Sequence, residues 1–350
     1  MHHRILHLVG SPTSDFFSEL SLVYARGCIE ALSDRQRYTF INAVLTPGGL
    51  WRFPSSLTPG SIDAAELVDL PTAMARIVDE RIDIGLPQMF CLAGMTHYRA
   101  IFDLLRIPYL GNRPVQMALA ADKAKTRAIV AAAGVDVPTA ELLCRGDVPT
   151  LTPPVVVKPT ASDNSDGVSL VTSSAQFPRA LEDAFAYSDT VLVERYVELG
   201  REVRCGTIVR YGELLCLPLE EYRVDPIERI RKRSDKLKRD AEHGLTLAAK
   251  ERAQSWIVAT DDPIVPSVWA MARRCHEALG CEQYGLFDFR IDPSGRPWFL
   301  EAGLYCSFSP QSVVVTMAKA AGLPLDAFFR SAIEQVLGAR MAAVHSSPSK

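Results

Sequence analysis

The hydrophobic pattern changes character along the chain. Residues 4–9 (RILHLV) form a short apolar run closed by Gly10, and 20–32 then carry helical spacing. A second apolar strand is predicted at 82–85, a helix at 100–105 and a short strand at 107–111 (IPYLG). Strand and helix alternating at this pace predict a small parallel α/β unit. From Pro114 the pattern reads as one long helix, PVQMALAADKAKTRAIVAAAG, with Gly134 as its stop. Short strands follow at 137–143, 155–159, 167–171, 191–197 and 201–209, with a helix at 180–186. A helix at 266–280 leads into the hairpin YGLFDFRIDPSGRPWFLEAG, and helices at 311–321 and 325–337 finish the pattern. The change from parallel α/β to antiparallel α+β patterning divides the chain. The expected units are an N-terminal α/β domain (1–113), a small subdomain (114–197), a C-terminal subdomain (198–338) and a flexible tail (339–350).

Composition narrows the partners. The 350 residues are 48% hydrophobic and 23% charged, enough for two or three cores. Thirty-eight Lys and Arg against 41 Asp and Glu give a net charge of −3, so no basic field points to nucleic acid. Eight cysteines form no C-x-x-C pair and no histidine cluster has metal spacing, which suits buried, reduced thiols in a cytoplasmic protein. No stretch approaches the ~18 apolar residues of a membrane span. The apolar run in MHHRILHLVG is too short for a signal-peptide core. The dinucleotide fingerprint G-x-G-x-x-G is absent, which weakens a dehydrogenase reading.

The candidate chemistry lies in the second half. In YGLFDFRID, Phe287, Phe289 and Ile291 alternate with Leu286, Asp288 and Arg290, so one face is core and the other carries an acid. If the hairpin closes symmetrically about Ser294-Gly295, Asp288 stands opposite Glu301 with Cβ atoms ~5 Å apart. Such a pair needs a cation between its members, and Mg²⁺ completed by substrate phosphates fits. A one-residue bulge would instead set Glu301 opposite Phe287. Two solvent-facing acids neutralised by Arg290 or Arg296 are the plainer alternative. Lys158 ends the run VVVKP beside a small polar tip, and backbone amides plus a lysine make a phosphate cradle. An ordinary exposed hairpin has the same look. VLVERYV sets Glu194 and Tyr196 at a strand end, with Glu202 past Gly200; it suits a purine hinge or an edge strand with polar punctuation. The basic run RIRKRSDKLKRD reads by default as a solvated face.

In this order the pieces resemble the ATP-grasp superfamily. The resemblance covers roughly residues 85–325 and is nearest to the D-alanine–D-alanine ligase-like carboxylate–amine ligases. It implies an ATP-grasp fold, α/β and α+β, with an N-terminal Rossmann-like (pre-ATP-grasp) domain. ADKAKTRAIVAAAG is similar to the family's D-K segment, making Lys123 a phosphate contact. VVVKPTASDNSDGVS is similar to its K-P-x-x-x-G-S-S-x-G loop, with Lys158 on phosphates and Asn164 and Ser165 over the γ-phosphate. Glu194, Tyr196 and Val197 would form the adenine hinge, and Glu202 would hold the ribose. RSDKL resembles the mobile lid, with Lys236 reaching a phosphate. Asp288 and Glu301 would be the metal carboxylates, and Ser312 a substrate-carboxylate contact at a helix start.

Departures leave the nucleotide machinery mostly kept and the amino-acid-reading machinery mostly changed, with one metal ligand missing at Gly303. The family's Asn two residues after the metal Glu is Gly303, and its Arg two residues before the metal Asp is Leu286. Arg290, on the same strand face, is the candidate to replace that catalytic charge. The lid tyrosine is Leu237, and Phe17 stands about where a substrate-reading Glu is expected. H-G-x-x-G-E-D has become MFCLAGMTH. The resemblance thus implies an ADP-forming ligase using ATP with Mg²⁺, or Mn²⁺ in its place, on small-molecule carboxylate and amine substrates. D-Alanine dimer is not the expected product. A homodimer is expected from the resemblance alone. The alternatives are a nucleotide-binding protein that has lost ligation, or capture of the acyl phosphate by a non-amine or intramolecular nucleophile.

Overall fold

The computed structural model describes residues 2–162, 165–231, 238–240, 244–246 and 254–346. Strands β1 (His3–Gly10), β2 (Tyr38–Leu45), β3 (Trp51–Arg52) and β4 (Ile84–Pro87) form the N-terminal sheet in the order β3-β2-β1-β4. β1 runs parallel to both β2 and β4, and β3 is antiparallel on the edge. Helices α1 (Asp15–Ala31), α2 (Pro59–Ala64), α3 (Leu70–Asp79) and α4 (Ala100–Leu104) accompany it. β1 is buried from Ile5 to Gly10, on both faces, which is why that stretch is apolar but for His7. Gly10 closes it at φ +92°, where a Cβ would lie 2.1 Å from the Leu45 carbonyl oxygen. The apolar pattern did not single out β2, β3, α2 or α3. The strand expected at 107–111 reduces to one bridge between Tyr109 and Gly85.

The long helix expected from Pro114 is broken. Asp122 is extended, and its carboxylate accepts from the backbone N–H groups of Ala124 and Lys125. It ends α5 (Pro114–Ala120) and caps α6 (Lys123–Ala132). Asp is a poor interior helix residue and a good cap, so the break is local chemistry. It puts Lys123 in a helix first turn, where its backbone N–H donates to the Thr160 carbonyl at 2.9 Å.

The small sheet is antiparallel. β5 (Ala140–Cys144), β6 (Val155–Pro159), β7 (Ser169–Val171) and β8 (Thr190–Arg195) stand in the order β5-β8-β6-β7, backed by α7 (Phe177–Phe185). Val155, Val157, Val191 and Val193 pack into the core with Ala180 and Phe185. Strand alternation therefore sends Val156, Lys158 and Glu194 to the opposite face.

The large sheet begins with β9 (Arg201–Arg210), β10 (Glu213–Cys216) and β11 (Glu220–Tyr222). β12 (Lys238–Asp240) and β13 (Gly244–Thr246) pair separately, and β14 (Ser255–Ile257) returns to the sheet. After α8 (Val265–Ala278) come β15 (Tyr284–Ile291) and β16 (Pro297–Gly303), giving the order β14-β11-β9-β15-β16 with β10 on β9. Met117 of α5 and Val130 of α6 pack with Val203, Phe287, Phe289 and Phe299, so these helices share the large sheet's core. The closing helices α9 (Val313–Ala320) and α10 (Leu325–Ser346) join that sheet to the N-terminal domain, with Ile5, Tyr38 and Ile84 in one cluster with Met317 and Phe329. Fully buried Asn112 stitches the junction. Its amide donates to the carbonyls of Tyr284 at 2.8 Å and Leu304 at 3.0 Å and accepts from the Glu282 N–H at 2.8 Å. No helix among the described residues is long and apolar enough to cross a membrane.

Two buried histidines make stability depend on pH. His7 shares a hydrogen bond with Gln88 and His276 with Thr207, each at 2.8 Å. Burial pushes both pKa values down to about 4. Between pH ~6.5 and 4 the unfolded chain therefore takes protons that the folded chain refuses, and stability falls as pH drops. Each histidine should cost up to about 3 kcal/mol by pH 4. Urea unfolding across this window should show the loss, with a shallower slope in His276→Gln. An unchanged slope in that variant would contradict the assignment.

Candidate active site

A cleft opens between the small and large sheets, with about 800 Å³ of empty space including its mouth. At its small-sheet wall the Lys158 ammonium meets the Glu194 carboxylate at 2.6 Å, and both side chains are under a tenth exposed. Arg127 approaches the other Glu194 oxygen at 3.4 Å. Lys158 also reaches toward the Leu300 carbonyl at 3.5 Å. The Lys123 ammonium donates to the Ser162 carbonyl, which ties the helix start to the polar tip. Ser165, in the left-handed region at φ +64°, lines the same cleft. Asn164 and Lys236 lie outside the described residues.

The floor is a register problem. Asp288 does stand opposite Glu301, but the hairpin is not symmetric. Its turn has five residues, 292–296, closed by the Ile291–Pro297 pair. Leu300 is the extra residue at a bulge between the Phe289–Phe299 and Asp288–Glu301 pairs, which restores the opposition. On the other side, β9 sets Arg204 opposite Asp288 and Glu202 opposite Arg290. Arg204 Nε donates to Asp288 Oδ1. Arg290 Nη2 donates to Glu202 Oε2 at 2.7 Å, and Nη1 to the Val197 carbonyl at 3.2 Å. Its guanidinium also lies 5.3 Å from the Tyr196 ring centroid.

Arg290 is therefore not the cation beside Asp288. It is held at the hinge end by its direct cross-strand neighbour Glu202, and Arg204 has the place expected of it. The signal was legible: E-x-R at 202–204 and D-x-R at 288–290 are complementary only in antiparallel register. Burial works against the Arg204 charge, but Asp288, with Tyr222, Glu220 and Glu301, raises its pKa well above the ordinary value. Two guanidiniums lie against the Tyr222 ring, Arg204 at 4.6 Å and Arg231 at 3.8 Å from its centroid.

One step further along the strands, Leu286 stands between Gly206 and Gly303. Leu286 is buried in the cluster that holds Met317 and Leu217, so the cleft floor ends there in apolar packing. Ser312 is the N-cap of α9, nearly buried, with its hydroxyl 3.6 Å from Cys306 Sγ. Phe17, half-buried in the first turn of α1, packs edge-on to Phe16 at 5.3 Å and against the Leu20–Phe90 cluster. Phe90 in turn meets Tyr24 at 5.2 Å and Tyr305 at 5.5 Å. Tyr24, Tyr222 and Tyr305 had no motif to mark them, and Arg231, which falls in the basic run read as a solvated face, is nearly buried against Tyr222. Among the described residues no group of three or more His, Cys, Asp or Glu is disposed around a metal position. Asp288 and Glu301 are the pair that could share one.

Residues 136–334 match the family model for the D-ala D-ala ligase C-terminus. The chain belongs to the D-alanine–D-alanine ligase family. The D-alanine–D-alanine ligase of Geobacter sulfurreducens is 28% identical over 288 residues, 77% of this chain and 80% of that protein. That of Sinorhizobium fredii is 30% identical over 247 residues, 67% and 74% of the two chains. The vancomycin B-type resistance protein VanB of Enterococcus faecalis is 29% identical over 260 residues, 72% of each. The crystal structure of the VanG D-Ala:D-Ser ligase from Enterococcus faecalis superposes with a TM-score of 0.77 at 22% identity, covering 95% of this chain and 99% of that one. The fold is the ATP-grasp fold. As a member of the D-alanine–D-alanine ligase family, the chain is an ATP-dependent, ADP-forming carboxylate–amine ligase.

The Glu202–Arg290 pair is nearly buried, so losing one partner strands the other. Arg290→Met should lower stability by about 3–5 kcal/mol, whereas the double variant Glu202→Gln, Arg290→Met should recover a large part. Urea unfolding of the three proteins measures this. Equal losses in the single and double variants would mean that the pairing is not what matters.

Proposed function

We propose that the ligase joins a carboxylate and an amine other than two D-alanines, through an acyl phosphate. The observation that carries this is the division of the cleft floor. Charged residues occupy the rows of Glu202–Arg290 and Arg204–Asp288–Glu301, and the next row is Gly206, Leu286 and Gly303. Leu286 and Gly303 stand at the positions where the resemblance calls for Arg and Asn.

Lys123, Lys158 and the tip that includes Ser165 would bind the ATP phosphates. The 194–197 segment would hold adenine and Glu202 the ribose. Glu194 keeps Lys158 in place and balances its charge before phosphate arrives. Asp288 and Glu301, opposed hard oxygen donors on the floor, fit Mg²⁺ or Mn²⁺ shared with phosphates. When bound, that ion neutralises charge on the β- and γ-phosphates. The substrate carboxylate attacks the γ-phosphorus and ADP leaves. The amine then attacks the acyl carbon and phosphate leaves, giving the amide. The lysines spread the developing charge, and the closed cleft protects the acyl phosphate from water. Ser312, at the start of α9, is the proposed contact for a substrate carboxylate. Phe17, Phe90 and Tyr305 would give the substrate end an apolar wall.

ADP release from Mg-ATP should be stimulated by one carboxylate–amine pair in a panel of amino acids and small acids. Asp288→Asn should abolish that stimulation. D-Alanine as the best substrate on both sides would overturn the specificity. Tight Mg-ATP binding with no stimulation by any pair would favour a nucleotide-binding protein without ligation. Sizing of the purified chain tests the homodimer carried over from the resemblance.

A further inference from the structure

Arg204 has more hydrogen-bonding capacity than the folded chain uses. Its side chain is 14% exposed, and Nε is committed to Asp288. Among the described residues no hydrogen bond uses its Nη1 or Nη2. Neither nitrogen is sealed from solvent, so both remain open to donate to an anion. The guanidinium is also held in orientation. Tyr222 lies against it at 4.6 Å and against Arg231 at 3.8 Å, and the Tyr222 hydroxyl donates to Glu220.

The row across the floor reads cation, carboxylate, carboxylate: Arg204, Asp288, Glu301. Leu286, one step away, is packed in apolar surroundings and carries no charge. Lys123 and Lys158 line the cleft from the α6 start and the small sheet, and Arg231, against Tyr222 of β11, lines it as well. Arg204 is the cation directly across from Asp288 on the large sheet, so an anion centred over Asp288 and Glu301 would lie next to it.

We propose that Arg204 is a catalytic residue that binds the phosphoryl group being transferred from ATP. Nε holds the Asp288 carboxylate toward the cleft. Nη1 and Nη2 donate to the equatorial oxygens of the γ-phosphoryl as it passes to the substrate carboxylate, and Arg204 itself gains and loses no proton. Planar, two-pronged donation is what a guanidinium offers an oxyanion and an ammonium does not. Arg204 has this role only if the cleft takes the nucleotide, as proposed above.

Equilibrium binding of Mn·ADP and of Mn with the non-hydrolysable ATP analogue AMP-PCP tests this without the unidentified substrates. In Arg204→Met, AMP-PCP should bind about 10- to 100-fold more weakly, a much larger loss than that of ADP or Mn²⁺, which lose only what the support of Asp288 supplies. Arg204→Lys keeps the charge without the fork and should recover only part of the loss. It also serves if the methionine variant is too unstable to handle. If Arg204 merely supports Asp288, ADP, AMP-PCP and Mn²⁺ binding will weaken by the same factor, which overturns the proposal. Unchanged AMP-PCP binding overturns it as well. Lys158→Ala reports on the cleft separately: it should weaken both nucleotides, and no effect there would show that ATP sits elsewhere. A silent substrate panel would leave the binding result standing.

Discussion

Two carboxylates held side by side on a half-buried floor are the constraint around which the cleft is arranged. Asp288 and Glu301 are cross-strand neighbours, and like charges at that spacing repel. The fold answers with a cation from the next strand, because β9 presents Arg204 at the level of Asp288. The row beneath repeats the device with Glu202 and Arg290. Both depend on one register. A slip of a single residue between β9 and β15 would turn one strand's charges to the opposite face and leave the others unpaired.

The same economy of charge holds at the small-sheet wall. Lys158 is nearly buried, and a buried ammonium is tolerable only when paired. Glu194 from the neighbouring strand is its partner, with Arg127 behind. The cleft thus holds three ion pairs, Lys158–Glu194, Arg204–Asp288 and Arg290–Glu202, poised for an anionic ligand that competes for the cationic halves. Leu300 serves both walls. The bulge it makes restores the carboxylate register, and its carbonyl points toward the Lys158 ammonium. The N-terminal domain is joined to this frame through the Asn112 amide and an apolar cluster shared with α9 and α10.

Much of this was legible along the chain because its causes are local. The apolar runs of β1 and β6, the Pro114 and Gly134 punctuation and the 284–303 hairpin all report on neighbours in sequence. Asp122 was legible in principle too, since its capping bonds go to residues two and three positions ahead. β2 and β3 were harder: β2 mixes Thr39 and Asn42 among its apolar positions, and β3 has two residues.

What the sequence by itself determined is the inventory and its order: the lysines at 123 and 158, the acids at 194, 202, 288 and 301, and the alternation that turns each from a core. Those follow from strand and helix periodicity, which acts over a few residues. Only the tertiary structure decided the partners. It gave Arg290 to Glu202 and Arg204 to Asp288, put Leu286 into apolar packing beside α9, and set Glu194 against Lys158. The pairing of distant strands is a cooperative choice over the whole sheet, and a five-residue turn with a compensating bulge ends in the same opposition as a symmetric hairpin. Charge positions can be read along a strand, but charge partners exist only across strands.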